Sequence, residues 1–140
     1  MNKLGVHALV WEAGWSHDEC TRAIEKTAEV GYDFNEAPAL DPGAIDVDFT
    51  RRQLERNRIG INLSLGLDAD TDISSGDRDK AAPGKRKLED AVRVARDLGA
   101  QYVCGILHSA FQKNVVPTTS AGVAMSAEVL AEVAETAAAS

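Results

Sequence analysis

Aromatic residues make up only 5% of this 140-residue chain, which also has just two cysteines and four prolines. With so few rings, a core has to be assembled from Ala, Val, Leu and Ile, a composition that favours helices packed on a sheet. No apolar run approaches the roughly 20 residues that a membrane-spanning helix needs. Met1-Asn2-Lys3 leads straight into strand-like sequence without a secretion signal, so a cytoplasmic protein is expected. Positive charge is also scarce: 15 Lys+Arg face 22 Asp+Glu, a net charge of -7. The longest basic block is Lys85-Arg86-Lys87, too little to neutralise a phosphate backbone or an anionic lipid surface, so nucleic acid and membrane are not expected partners. Neither G-x-G-x-x-G nor G-x-x-x-x-G-K-[ST] occurs, which argues against a dinucleotide or ATP enzyme. Cys20 and Cys104 form no C-x-x-C pair and read as two reduced, buried thiols.

What is present is one phrase repeated four times: a short apolar run, a polar connection, then an amphipathic stretch. Lys3–Val10 reads as a buried strand. Ser16 and Glu19 have capping-box spacing, Ala23, Ile24, Thr27 and Ala28 recur at helical period, and Gly31 supplies a stop, predicting a helix over 16–30. Tyr32–Ala37 is a second strand, followed by a short helix capped by Asp48 with Phe49 and Leu54 inward.

Ile59–Leu67 is the clearest strand. Ile59, Ile61, Leu63, Leu65 and Leu67 alternate with Gly60, Asn62, Ser64 and Gly66, so one face is large and apolar and the other small and polar. The small face suits a tight interior or pocket. An acidic loop over 68–79 reads as solvated, its Asp68, Asp70 and Asp72 lacking the glycine and final glutamate of a calcium loop. A third helix, started or kinked at Pro83-Gly84, places Leu88, Ala91, Val92, Ala95 and Leu98 inward before Gly99. Tyr102–His108 is the fourth strand, 109–119 a loop, and a helix from Ser120 turns Val123, Ala127, Leu130, Ala131 and Ala134 inward. Alternating β and α elements predict an α/β fold of parallel (β/α) units, in a single domain over 1–140.

In a parallel sheet the chemistry gathers beyond the carboxyl ends of the strands. His7, Glu36 and His108 fall there, as do Trp11, Trp15 and Phe111 on the adjoining loops. The two imidazoles with Glu36 make a conceivable metal set, against the plainer reading of histidines that hydrogen-bond to substrate or neighbours. Glu36 suits a general base, an orienting group or a loop anchor equally. The rings suit either the C–H face of a polyol or a packed barrel mouth. On an open sheet, His7, Glu36 and His108 would serve a lyase or isomerase.

Several segments together resemble a known family. These are Met1–His7 with Trp11, Gly31–Glu36, Ser64–Leu67, Asp72–Ser75, and Ala95–Ala100 with Gly105-Ile106-Leu107. In order, they are similar to the ketose 3-epimerases (D-tagatose, D-psicose and L-ribulose 3-epimerases) of the xylose-isomerase-like TIM-barrel superfamily.

The resemblance implies four of the eight (β/α) units of a TIM barrel, a half barrel corresponding to the N-terminal half. At 140 residues the chain is below the roughly 200 that a complete barrel needs. It further implies an isomerase that, in complete form, binds a divalent metal, usually manganese, and moves a proton at C3 of a free ketose. The family's proton-transfer glutamates and its metal ligands come from strands five to eight, beyond Ser140. No catalytic residue, no metal ligand and no activity are therefore expected of this chain alone. What the resemblance assigns here is the sugar-pocket wall: His7, Trp15, Glu36, Ser64, Gly66, Ile106, His108 and Phe111. Phe111 stands where several relatives have tryptophan, and Pro83-Gly84 interrupts a helix that relatives continue. The competing reading is a binding or assembly module, since a half barrel exposes two strand edges that invite a second copy or a separate second half.

Overall fold

The structure is a computed structural model and describes residues 2–111 and 117–139. Four strands alternate with four helices: β1 (Gly5–His7), α1 (His17–Val30), β2 (Phe34–Pro38), α2 (Val47–Asn57), β3 (Gly60–Leu67), α3 (Arg78–Leu98), β4 (Val103–Ala110) and α4 (Ser120–Ala138). The strands lie parallel in one sheet in the order β1-β2-β3-β4, the α/β arrangement that the alternation predicts. The chain divides into two compact units, residues 1–64 with 94–103, and residues 65–93 with 104–140.

In the first unit, the predicted capping box forms. Ser16 Oγ accepts from the Glu19 N–H, and the Glu19 carboxylate accepts from the Ser16 N–H at 2.9 Å. Cys20, Ala23, Ile24 and Thr27 turn α1 inward against α2 and β2. Two buried polar side chains are linked: Asn35 Nδ2 donates to Thr27 Oγ1 at 2.8 Å, and that hydroxyl donates to the Ala23 carbonyl at 2.7 Å, while Asn35 Oδ1 has no partner among the described residues.

Two expectations for this unit are corrected. The first strand is shorter than 3–10, because the chain leaves the sheet after His7 and winds into a 3-10 turn over Ala8–Val10. The N–H of Leu9 goes to the His7 ring instead of to a neighbouring strand. The cap of α2 is Asp46, whose carboxylate accepts from the Phe49 N–H at 2.9 Å; Asp48 sits in the first turn and pairs with Arg51 at 3.3 Å. Phe49 is half-buried, and Thr50 and Leu54 carry the inward face.

In the second unit, the acidic loop is not merely solvated. Ile73 is fully buried, and one Asp72 oxygen accepts from the Ser74 N–H (2.9 Å), the Ser74 hydroxyl (2.7 Å) and the Ala110 N–H (3.1 Å). Helix α3 starts at Arg78, upstream of the expected Pro83-Gly84, which lies inside it. Asp77 supplies the start, its carboxylate accepting from the Asp79 N–H and its carbonyl from the Ala81 N–H. Gly84 is needed for a different reason: a Cβ there would run into the Thr71 carbonyl and into Ile73 Cγ2 at 2.6 Å.

Strand β4 continues to Ala110, past the expected end at His108. Of the loop expected over 109–119, residues 112–116 lie outside the described residues. Helix α4 starts at Ser120 as expected, but its face is rotated. Gly122, Ser126, Val129 and Val133 are buried, whereas Val123, Ala127, Ala131 and Ala134 are exposed and Leu130 is half-buried. The contacts explain the choice: Gly122 lets the helix meet the Ser74 carbonyl, and Ser126 Oγ donates to the His108 carbonyl at 2.7 Å.

Candidate functional site

The parallel register places His7 beside Glu36, with Glu36 beside Asn62 and Pro38 beside Ser64. Residues aligned across a parallel sheet share a face, and so do residues two apart on one strand. His7, Glu36 and Ser64 therefore project from the same side, and the side chains meet. His7 Nε2 lies 2.8 Å from Ser64 Oγ and 3.7 Å from Glu36 Oε1. The His7 and Glu36 side chains are 31% and 30% exposed, so this face is reachable from outside, while Ser64 is nearly buried at 9%.

The opposite ring nitrogen decides the protonation pattern. His7 Nδ1 accepts from the Leu9 N–H at 3.0 Å. A neutral imidazole carries one proton, so Nε2 holds it and is the donor to Ser64 or Glu36. Neither nitrogen then offers a lone pair to a metal. Among the described residues no group of three His, Cys, Asp or Glu side chains is placed to hold a metal ion. The groups present among the described residues do not fit the divalent ion that the resemblance implies.

Trp15, the other pocket residue in this unit, is half-buried, and its Nε1 donates to Thr50 Oγ1 at 3.2 Å. It lines a cleft of about 270 Å³ with Gly14, Pro38, Leu40 and Ile45. Thr50 also lies 3.7 Å from Cys20 Sγ, and burial pushes that thiol up to about 11. Among the described residues neither cysteine forms a disulfide; Cys20 is buried as expected, whereas Cys104 is only half-buried. Trp11 keeps a buried Nε1 without a partner among the described residues.

The second unit holds the remaining candidates. Gly66 is half-buried, and a Cβ there would sit 3.8 Å from Phe111 Cβ. The Phe111 N–H donates to the Leu67 carbonyl at 2.7 Å, and the ring is 57% exposed. Lys87, which sequence reasoning passed over, places Nζ 3.4 Å from both the Gly66 carbonyl and Asp68 Oδ2. The Thr71 hydroxyl, then Lys87, hold the Asp68 carboxyl below the usual carboxylate range. Ile106 is half-buried on β4. His108 is exposed and borders a separate cavity of about 420 Å³ with Ser74, Ser75, Thr119, Val123 and Leu130. Within each unit, then, the structure joins His7, Glu36 and Ser64 in one group and Gly66 and Phe111 in another, and gives Trp15 and His108 clefts of their own. Asp72 was missed as well; its pattern of three accepted bonds, not its charge, marks it.

No family model matches the chain. It is 36% identical over 133 residues to a ketose 3-epimerase of Arthrobacter globiformis, covering 95% of this chain and 46% of that one. It is 36% identical over 137 residues to an L-ribulose 3-epimerase of Mesorhizobium japonicum, covering 98% and 46%. A crystal structure of D-allulose 3-epimerase from Methylomonas sp. in complex with D-allulose superposes with a TM-score of 0.94 at 36% identity, over 98% of this chain and 49% of that one. The chain is homologous to the ketose 3-epimerases. It spans about half the length of the relatives it matches, their N-terminal half, and its four parallel (β/α) units match half of those TIM-barrel proteins.

Proposed function

We propose that this chain is the N-terminal half, as one domain, of a ketose 3-epimerase-type barrel in the cytoplasm, and that it supplies the wall of a sugar pocket. In this reading His7, Glu36 and Ser64 offer polar contacts to a free ketose, and Trp15, Ile106 and Phe111 with Gly66 offer apolar and close-packed ones. His108, on β4, is the remaining member of the wall. The proton transfer at C3, and the manganese that would assist it, belong to the portion of the relatives that this chain does not span. The observation carrying the reading is the TM-score of 0.94 over 98% of the chain to an epimerase structure holding D-allulose.

The test has two arms. Purified chain with manganese and D-fructose should form no D-allulose above background, and turnover would overturn the assignment of proton transfer to the other half. Joined to the C-terminal half of the Arthrobacter globiformis relative, the chain should interconvert ketoses. A soluble, folded fusion without turnover would overturn the epimerase reading.

One observation favours a second reading, an assembly module. Val123 on α4 is 56% exposed, Ala127, Ala131 and Ala134 are exposed beside it, and β4 is an edge strand. Apolar faces and open edges of this kind invite a partner, either a second copy or a separate second half. A stable monomer in sedimentation, with no tendency to associate, would count against it.

A further inference from the structure

The bond from Leu9 to His7 has a consequence for the serine beyond it. Because Nδ1 accepts from the Leu9 N–H at 3.0 Å, Nε2 carries the ring proton, and at 2.8 Å that proton is donated to Ser64 Oγ. The reverse polarity, with Ser64 donating to Nε2, would require an imidazole without any proton. A serine hydroxyl that accepts from a ring N–H still has its own proton to place. Among the described residues no protein acceptor takes the Ser64 proton, although the hydroxyl is nearly buried and lies on the face that His7 and Glu36 leave open. Most buried hydroxyls find an acceptor, so a donor left over on an accessible face is arranged for something that binds there.

We propose that His7 is a positioning residue that locks the Ser64 hydroxyl as a one-way hydrogen-bond donor to an acceptor oxygen of the bound ligand, the carbonyl or a hydroxyl oxygen of a ketose. The 3-10 turn over Ala8–Val10 is part of the device, since His7 caps it and the cap is what forces the tautomer. Glu36, from β2, is the charged group beside the ring, at 3.7 Å. Ser64, from β3, and the Leu9 N–H, from the turn, complete its polar surroundings. A carboxylate is acceptor-only, so Glu36 complements Ser64: the two together offer a ligand hydroxyl one acceptor and one donor. This inference rests on the ketose reading above and says which polarity the pocket wall presents.

The experiment is nuclear magnetic resonance on the full chain. Long-range proton–nitrogen spectra of the wild type should show the His7 ring as a single Nε2–H tautomer, a signature that a merely space-filling histidine would not keep. Titration with D-allulose should shift the amides of Leu9, Glu36 and Ser64. Ser64→Ala should weaken that binding about ten-fold, the scale of one lost hydrogen bond. His7→Asn keeps an oxygen able to cap the Leu9 N–H but is too short to reach Ser64, so it should weaken binding similarly while leaving the melting temperature near that of the wild type. His7→Gln, with an amide N–H long enough to reach Ser64, should recover part of the loss. A His7 ring carrying its proton on Nδ1, or exchanging between tautomers, overturns the inference. So does an allulose response unchanged by Ser64→Ala, which leaves the ketose reading standing. A locked tautomer with no allulose response in the wild type overturns the ligand step and the ketose reading together.

Discussion

Gly84→Ala sets two opposing magnitudes against each other. In a helix interior, exchanging glycine for alanine normally stabilises by about 1 kcal/mol, because the unfolded chain loses freedom that the helix never used. At this position the added methyl would strike the Thr71 carbonyl oxygen, with the Thr71 carbonyl carbon at 2.9 Å and Ile73 Cγ2 at 2.6 Å. The obstacle is backbone, and it is held: the Thr71 N–H donates to the Asp68 carbonyl at 3.1 Å, and its hydroxyl donates to Asp68 Oδ1 at 3.0 Å. Neither group can swing aside as the end of a flexible side chain would, and Ile73 is fully buried. Forcing a methyl into such a site costs roughly 1–3 kcal/mol or more, so the clash outweighs the propensity gain and the variant should lose about 1–2 kcal/mol. Urea denaturation followed by circular dichroism measures this directly. Arg86→Ala, on the exposed side of the same helix, is the control and should stay within about 0.5 kcal/mol of the wild type. A Gly84→Ala protein as stable as the wild type, or more so, would refute the claim that α3 is held against the loop by a close backbone approach.

Other outcomes follow from single contacts. Asp72→Ala removes the acceptor shared by Ser74 and the Ala110 N–H, and should cost about 1–3 kcal/mol; faster exchange of the Ala110 amide would confirm the site, and unchanged exchange would contradict it. Cys20 should resist thiol reagents at neutral pH, with Cys104 labelled first. The Cys20 thiol is neutral in both folded and unfolded chains below about pH 9. Between about 9 and about 11 only the unfolded chain ionises, so stability should fall as pH rises through that window, by on the order of 2–3 kcal/mol. Urea midpoints at both ends of the window, compared with those of Cys20→Ala, isolate this part; an equal decline in the variant would exclude the thiol as its source.

What was legible in the chain is what depends on near neighbours. The Ser16–Glu19 box is a contact over three residues, and the alternation from Ile59 to Leu67 is the pleat itself, so both could be read directly. The Asp46 and Asp48 caps differ by half a turn, and the choice between them rests on a partner far away in sequence: Asp46 also meets His17 at 3.0 Å, a ring stacked on Phe49. The first strand fails for a similar reason. Lys3–Val10 is apolar enough for a longer strand, but the His7 ring takes the Leu9 N–H that a ladder would have used. That same local bond sets the tautomer at the candidate site, so the shortened strand and the pocket chemistry have one cause. His7, Glu36 and Ser64 were individually visible as strand-end polar residues; their meeting required the register, which no local pattern contains.

The fourth helix shows where periodicity stops being informative. Its residues are apolar or small on most sides, so two stripes compete: Val123, Ala127, Leu130 and Ala134 against Gly122, Ser126, Val129 and Val133. Counting hydrophobicity favours the first stripe, because it holds no glycine or serine. Packing selects the second. A glycine allows α4 to approach the Ser74 carbonyl, and a serine satisfies the His108 carbonyl, which would otherwise be left over at an edge strand. An unpaired buried carbonyl costs about 1–3 kcal/mol, comparable with what burying one more aliphatic side chain would return. Polar satisfaction can therefore decide the face when the apolar difference between faces is this small. Val123, Ala127 and Ala134 of the stripe that loses stay apolar and exposed, so the residues that periodicity assigned to the core are the same ones on which the assembly reading rests.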